Sequence, residues 1–278
     1  KVKPAARQDW EELSGDLNSR MPEARRVVAA VVSGSTDRSL SKLLPIHPMA
    51  ALLLKYISTT FASNQRSMFS FIKNADTDGL QAFQWFIHNH GPEDEDGILT
   101  IDYLWNFFYE KGTDDNTLQS GRSNLDFIVA ATLDTYPSHE RELNTEERRV
   151  LKAVLMMQAI SQKLNNSVEI LRPNKKNLDL AFQGDSALEN GRASSIATNV
   201  LVGRQKILYI NPTAKGDEYA ASAVSGDQVA IDTIKQRKLD ETRTRRLIED
   251  AGLGVGIESR LPPALQMRFE IRVACVDD

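Results

Sequence analysis

The stretch that most constrains this fold is residues 45–72, where two prolines flank a histidine and a long apolar segment follows. A proline disfavours helical backbone in the residue before it, so Pro45-Ile46-His47-Pro48 is expected to form an extended corner. Helices are predicted after this corner, over 48–61 and 66–72. The first carries apolar residues on several faces, which is typical of a helix buried against other elements.

The composition is that of an ordinary globular protein, with 278 residues, 41% hydrophobic and 26% charged. A net charge of −4 argues against a protein dominated by nucleic-acid electrostatics, although it leaves room for a local basic patch. The only cysteine, Cys275, excludes an internal disulfide and a cysteine metal cluster, which favours a cytoplasmic location.

The two chain ends and the apolar runs bear on location and completeness. The longest apolar runs are too short to span a bilayer, so no membrane partner is expected. The first residues carry no apolar segment of the kind a signal peptide needs. Because the chain lacks an initiator methionine and ends abruptly, we expect it to be a fragment of a longer protein.

Helical periodicity dominates the first half of the chain. Besides the two helices after the corner, the pattern predicts two helices within 5–34 and further helices over 80–88, 98–110 and 125–134. The fold class is therefore predicted to be mainly α. Residues 1–140 are predicted to form a helical, lid-like domain.

The second half changes character. Asn144 followed by Glu147 predicts a capped start for a helix over 145–164. Short helices are predicted over 177–182 and 193–202, and a hairpin is predicted with strands 205–210 and 218–222 around a turn at 212–217. Three helices followed by a hairpin is the order of a winged helix, predicted over 141–223. A long charged helix and a C-terminal strand are predicted within 224–278.

Polar and basic residues accompany the third helix of this winged-helix candidate and its hairpin. Arginine, lysine and asparagine donate well to phosphates and base edges, which makes a nucleic-acid interface a candidate here. The alternative is a domain used only for packing or protein contact, and the acidic net charge favours that alternative. The candidate residues are Arg192, Ser195, Asn199, Arg204, Lys206 and Lys215.

Motifs for independent catalysis are missing from the sequence. It contains no phosphate-binding loop and no nucleophile elbow. Two acidic turns, beginning at Asn74 and Pro92, place Trp85 and Tyr103 where a calcium loop needs a bidentate glutamate. His88 and His90 are two apart and face different directions on a helix. We therefore predict no catalytic residue, no metal and no cofactor for this chain itself.

Several residues of the opening stretch resemble a known family. The segment resembles one that lies just after the ATPase core in large bacterial P-loop ATPases, including those of BREX-type phage-defence systems. Residues 145–222 are also similar, in the order of their elements, to a helical lid leading to a winged helix. The matching residues are Ile46, His47, Pro48, Ala51, Leu53, Leu54, Phe61, Asn64, Arg66, Phe69 and Phe71.

The resemblance implies a non-catalytic lid and winged-helix fragment that couples nucleotide state to the binding of a partner or DNA. It implies that His47, Asn64 and Arg66 face an upstream ATPase core in cis, which alone would bind ATP and magnesium. Other defence-system subunits are further candidate partners. Against this, His47 and Arg66 are interpreted as corner residues bonded to backbone carbonyls. Alternative functions are a free-standing winged-helix DNA-binding regulator and a small enzyme with a dispersed site.

Overall fold

The computed structural model describes residues 7–32, 34–60, 68–73, 81–91, 94, 97–109, 132–133 and 135–221. This part is mainly helical with one antiparallel two-stranded hairpin, so the predicted fold class is confirmed at that level. The helices are α1 (Arg7–Ser19), α2 (Pro22–Val31), α3 (Asp37–Leu40), α4 (Pro48–Thr60), α5 (Met68–Lys73), α6 (Phe83–Asn89), α7 (Ile101–Phe108), α8 (Thr135–His139), α9 (Thr145–Lys163), α10 (Lys175–Ala181) and α11 (Arg192–Ser195). Helix α11 continues as a π-helix over Ile196–Arg204, and the strands are β1 (Leu208–Thr213) and β2 (Gly216–Ala221).

The predicted corner is present and joins two distant segments. The amide of His47 donates to the carbonyl of Leu99 at 2.9 Å, and the amide of Leu99 donates to the carbonyl of Pro45 at 2.9 Å. Helix α4 begins immediately after the corner, and its side chains Met49 and Leu53 are fully buried. The prediction that this helix is a core element is therefore confirmed.

Helix α9 is the central element of the described part. Its start carries the predicted cap: the amide of Glu147 donates to Asn144 Oδ1 at 2.9 Å, and the amide of Asn144 donates to Glu147 Oε2 at 3.0 Å. From Val150 to Ser161 only Lys152 is not buried, because α4, α7, the π-helix and β2 all pack against this helix. A helix surrounded in this way organises the core around itself.

The hairpin exists, with different strand limits from those predicted. Its strands extend to Thr213 and from Gly216, which leaves a two-residue turn in place of the predicted turn over 212–217. Pro212, predicted in the turn, lies inside β1 opposite Asp217. It is tolerated inside β1 because, among the described residues, that strand pairs only with β2, so its other edge needs no donor. Gly216 adopts φ +112, a conformation that glycine reaches at little cost.

Buried apolar side chains from Leu17 in α1 to Ala221 in β2 form one continuous core. The domain boundary predicted near residue 140 stays a prediction. The predictions for 222–278, and nearly all of the predicted helix over 125–134, fall outside the described residues. None of the helices in the described ranges combines the length and apolar character needed to cross a bilayer.

Candidate functional site

The third helix of the winged-helix candidate comprises α11 and the π-helix, residues 192–204, and its outer face is polar. Ser195 and Asn199 are exposed one turn apart, and Asn199 Nδ2 donates to Ser195 Oγ at 3.0 Å. Lys206 is exposed just beyond the helix, with φ +55 and no ion pair to any described residue. The structure therefore brings the predicted Ser195 and Asn199 together on one face and places Lys206 past its end.

Contacts from two neighbouring elements hold this helix in place. Asp179 of α10 accepts hydrogen bonds from the amide of Ser194 at 3.0 Å and from its hydroxyl at 2.8 Å. Tyr219 of β2 donates its hydroxyl to the carbonyl of Ser194 at 3.3 Å and lies 2.8 Å from Thr198 Oγ1. Burial raises the pKa of Tyr219, so the phenol stays protonated and available as a donor. These contacts hold the hairpin against the buried side of the helix, whereas Ser195 and Asn199 on the outer side are exposed.

The other three predicted phosphate contacts are all engaged with glutamates. Arg192 contacts Glu146 with two nitrogens, at distances from 2.6 to 3.1 Å, and its side chain is still 59% exposed.

Arg204 Nη2 donates to Glu147 Oε1 at 2.9 Å, and its side chain is 64% exposed. Lys215, in the hairpin turn, pairs with Glu169, and this hydrogen bond lowers the pKa of the Glu169 carboxyl. These three cations were predicted from the sequence, whereas their acidic partners were not.

His47, expected to sense nucleotide state, lies inside the core. Its side chain is fully buried, and Nδ1 accepts a hydrogen bond from the amide of Met49 at 3.1 Å. Burial lowers the pKa of His47 to about 3, although the backbone of Gln183 opposes this shift. The imidazole is therefore neutral and bonded to a backbone amide at the helix corner. Asn64 and Arg66, the other two residues of this prediction, lie outside the described residues.

A buried charge cluster around Arg149 was not predicted. Arg149 Nε donates to Asp102 Oδ2 at 2.7 Å, and Nη2 donates to Asp185 and, at 3.2 Å, to Thr100 Oγ1. Thr100 in turn donates its hydroxyl to Asp102 at 2.5 Å. These partners stand 36 to 49 residues from Arg149 in the chain, so no local motif connects them.

The ion pairs and hydrogen bonds of this cluster hold parts of the fold together. Burial opposes the charge on Arg149, but the nearby Asp102 and Asp185 carboxylates outweigh it and raise the pKa of the guanidinium. Asp185 also accepts from the amides of Ala187 and Leu188, each at 3.1 Å. The cluster thus joins the start of α7, helix α9 and the loop after α10. No group of three or more acidic, histidine or cysteine side chains suited to a metal ion occurs among the described residues.

A small polar groove lies between the hairpin and α9, lined in part by Gln158, Gln162, Tyr209 and Asn211. Its volume is about 80 Å³, which is far below the ~300–1,000 Å³ of small-molecule sites. The groove is therefore too small for an ordinary small-molecule ligand.

Comparisons with protein-family models, with curated proteins and with solved structures found no match to this chain.

Proposed function

We propose that this chain is a non-catalytic lid and winged-helix segment of a large bacterial defence-type P-loop ATPase, in which an upstream core would bind ATP and magnesium. The observation that carries the proposal is the succession α9, α10, third helix and hairpin, with the third helix fastened by Asp179 and Tyr219 and open on its outer side. This succession is the order expected of a winged helix, whose third helix reads a groove of DNA.

The outer face of the third helix has the chemistry of a DNA contact. Asn199 offers a carboxamide for base edges, and Ser195 offers a hydroxyl for a phosphate or a base. Arg192 and Arg204 lie at the two ends of the helix, and Lys206 follows it. All five side chains are exposed, so a duplex laid along this helix would reach them together.

The lid part supports docking against another domain. Of the two phenylalanines in α5 that belong to the family resemblance, Phe71 is buried against Phe107 and Phe108, at ring distances of 5.4 and 5.9 Å. Phe69 is 68% exposed, and Ile72 on the same short helix is exposed as well. Exposed apolar side chains that cluster on a surface are typical of contacts with a partner. Phe69 is therefore our candidate contact with the upstream core.

A DNA-binding measurement tests the winged-helix part of the proposal. Fluorescence anisotropy with a short labelled duplex should show binding at low salt, because phosphate contacts dominate there. Changing Arg204→Ala together with Lys206→Ala should weaken binding by roughly tenfold and lower the salt slope by about 2. The matched control is Arg38→Ala with Lys42→Ala, two exposed cations removed from the first half of the chain.

Wild-type protein that fails to bind at low salt would remove the DNA proposal. If the test pair and the control pair lose the same amount of DNA affinity, the loss is a general effect of net charge and the helix face is not the binding site. A free-standing DNA-binding regulator is the second candidate, because the exposed helix face is complete without the lid residues. The coding sequence directly upstream of residue 1 separates the two, since a phosphate-binding loop there supports the ATPase segment.

A further inference from the structure

The two arginines at the ends of the third helix are held by consecutive glutamates of one other helix. Glu146 and Glu147 stand in the first turn of α9, and they pair with Arg192 and Arg204. We propose that Glu146 and Glu147 form an acidic latch that competes with DNA phosphates for Arg192 and Arg204. The latch rests on the proposed DNA-binding function and adds to it a built-in limit on affinity.

The first half of the latch is the pair Glu146–Arg192. Both carboxylate oxygens are used: Oε1 accepts from Nη2 at 2.9 Å, while Oε2 accepts from Nη2 at 2.6 Å and from Nε at 3.1 Å. This is the forked geometry in which a guanidinium also grips a phosphate. A phosphate and Glu146 would therefore occupy the same donors, and Arg192 cannot serve both fully.

The second half is the pair Glu147–Arg204, which is built differently. Glu147 Oε2 is committed to the cap of α9, where it accepts from the amide of Asn144 at 3.0 Å, so only Oε1 faces Arg204. The Glu147 side chain is 7% exposed, whereas the Arg204 side chain is 64% exposed. Because the carboxylate is fixed by the cap, it is the arginine that must leave when a phosphate is bound.

The latch moderates binding and does not block it. Both arginine side chains are more than half exposed, and ion pairs open to water on one side are individually weak, so a phosphate can displace a glutamate. DNA binding must break one ion pair at each arginine, which costs free energy twice. Each glutamate also repels the approaching phosphate backbone. A change that draws the start of α9 away from the third helix, or neutralises the two glutamates, would free both arginines at once. The start of α9 is thus the point at which DNA affinity could be regulated.

Neutralising the latch tests it directly. In the full chain, Glu146→Gln with Glu147→Gln should raise affinity for a short labelled duplex by roughly fivefold, since two weak competing pairs are lost. Folding should be preserved because glutamine also satisfies the capping box at position 147. The charge-matched control is Glu140→Gln with Glu142→Gln, which lie just before α9 and form no ion pair with an arginine in the described part. The control should raise affinity by less than twofold.

A double-mutant cycle separates the latch from general repulsion. If Glu146 acts through Arg192, the gain from Glu146→Gln should disappear in an Arg192→Ala background. A gain that persists there, or a control pair that gains as much as the latch pair, would overturn the latch.

The remaining outcomes distinguish the latch from the proposed function. If wild-type protein binds DNA and loses affinity on Arg204→Ala with Lys206→Ala, but Glu146→Gln with Glu147→Gln leaves affinity at the wild-type value, the latch is wrong and the proposed function stands. If neither wild type nor any variant binds DNA, both the latch and the DNA-binding function are wrong.

Discussion

At the residue scale, His47 shows how burial alone decides a side chain's chemistry. The histidine stands between two prolines, and the corner carries its ring into the core, where one nitrogen bonds the amide of Met49. The other nitrogen, Nε2, is buried as well. A charged imidazole in this position would be costly, so the folded protein holds His47 neutral.

The neutral His47 predicts a specific pH dependence of stability. Its pKa is lowered to about 3 in the folded protein, whereas an unfolded histidine titrates near about 6.5. Below pH ~6.5 only the unfolded chain takes up this proton, so stability is lost as the pH falls towards about 3, by up to ~1.4 kcal/mol per pH unit.

Urea unfolding at pH 7 and at about pH 5 should therefore show a larger loss in wild type than in His47→Gln, by ~2 kcal/mol. Glutamine keeps an acceptor for the Met49 amide and has no proton to gain. Other titrating groups act equally in both proteins, so the comparison isolates this one. Equal losses in the two proteins would contradict the buried, neutral histidine.

At the element scale, one side chain of the central helix holds the end of the hairpin. Gln158 of α9 donates to the carbonyl of Ala221 at 3.1 Å and accepts from its amide at 2.8 Å. The amide of Tyr219 donates to the carbonyl of Pro173 at 2.7 Å. A two-stranded hairpin is only marginally stable by itself, so these contacts are what we expect to hold β2 in place.

Removing this contact should loosen the end of β2. Gln158→Ala leaves the buried backbone amide and carbonyl of Ala221 without partners, at a cost of about 1–3 kcal/mol for each group. Hydrogen exchange at the amides of Tyr219 and Ala221 should accelerate strongly in this variant. Gln162→Ala is the matched control, one turn further along α9, with an exposed side chain that has no hydrogen bond to the described residues. Similar exchange in both variants would argue against the contact.

At the scale of the whole molecule, the loop after α10 connects elements that are far apart in the chain. Gln183 Oε1 accepts from the amide of Ala24 in α2 at 2.8 Å, and Asp185 binds Arg149 of α9. Between them, Gly184 adopts φ +84, and a Cβ there would come within 3.0 Å of side-chain atoms of Arg20 and Met21. A side chain at this middle position would therefore crowd Arg20 and Met21.

Gly184→Ala should destabilise the described part more than the same change at Gly191. Both glycines have positive φ, at +84 and +81, but a Cβ at Gly191 meets nothing within 4 Å. Gly191→Ala is therefore expected to cost about 1 kcal/mol, from backbone strain alone. Gly184→Ala should cost roughly 1–3 kcal/mol more, as overpacking does. Thermal unfolding of the two variants measures the difference, and equal midpoints would show that the loop yields without cost.

Much of the helical pattern was predictable because its causes are local. The capped start of α9 needs Asn144 and Glu147, three residues apart, and the corner before α4 needs the two flanking prolines. The limits of the hairpin were predicted less well. Proline is common in turns, so Pro212 was predicted to lie in one. Within the described residues the outer edge of β1 is unpaired, and this allows a proline inside the strand.

In the candidate interface, too, the local features were predictable and the long-range contacts were not. Ser195 and Asn199 were predicted to lie on or beside the third helix, and their spacing of four residues sets them on one face of it. The glutamate partners of Arg192 and Arg204 lie 46 and 57 residues earlier in the chain, beyond any local pattern. The π-helical form of residues 196–204 likewise has no signal that we recognised in the sequence.

By itself the sequence determined where the longer helices of the described chain lie, where α9 is capped and where the chain turns before α4, but it did not predict the short helices α3 and α8. Those outcomes follow from interactions within a few residues, and residue types record them directly. Only the tertiary structure decided that His47 is buried and neutral, that Arg149 lies between two distant aspartates, and that the arginines of the third helix are already paired. These depend on segments meeting in space, where desolvation and charge pairing set each side chain's chemistry.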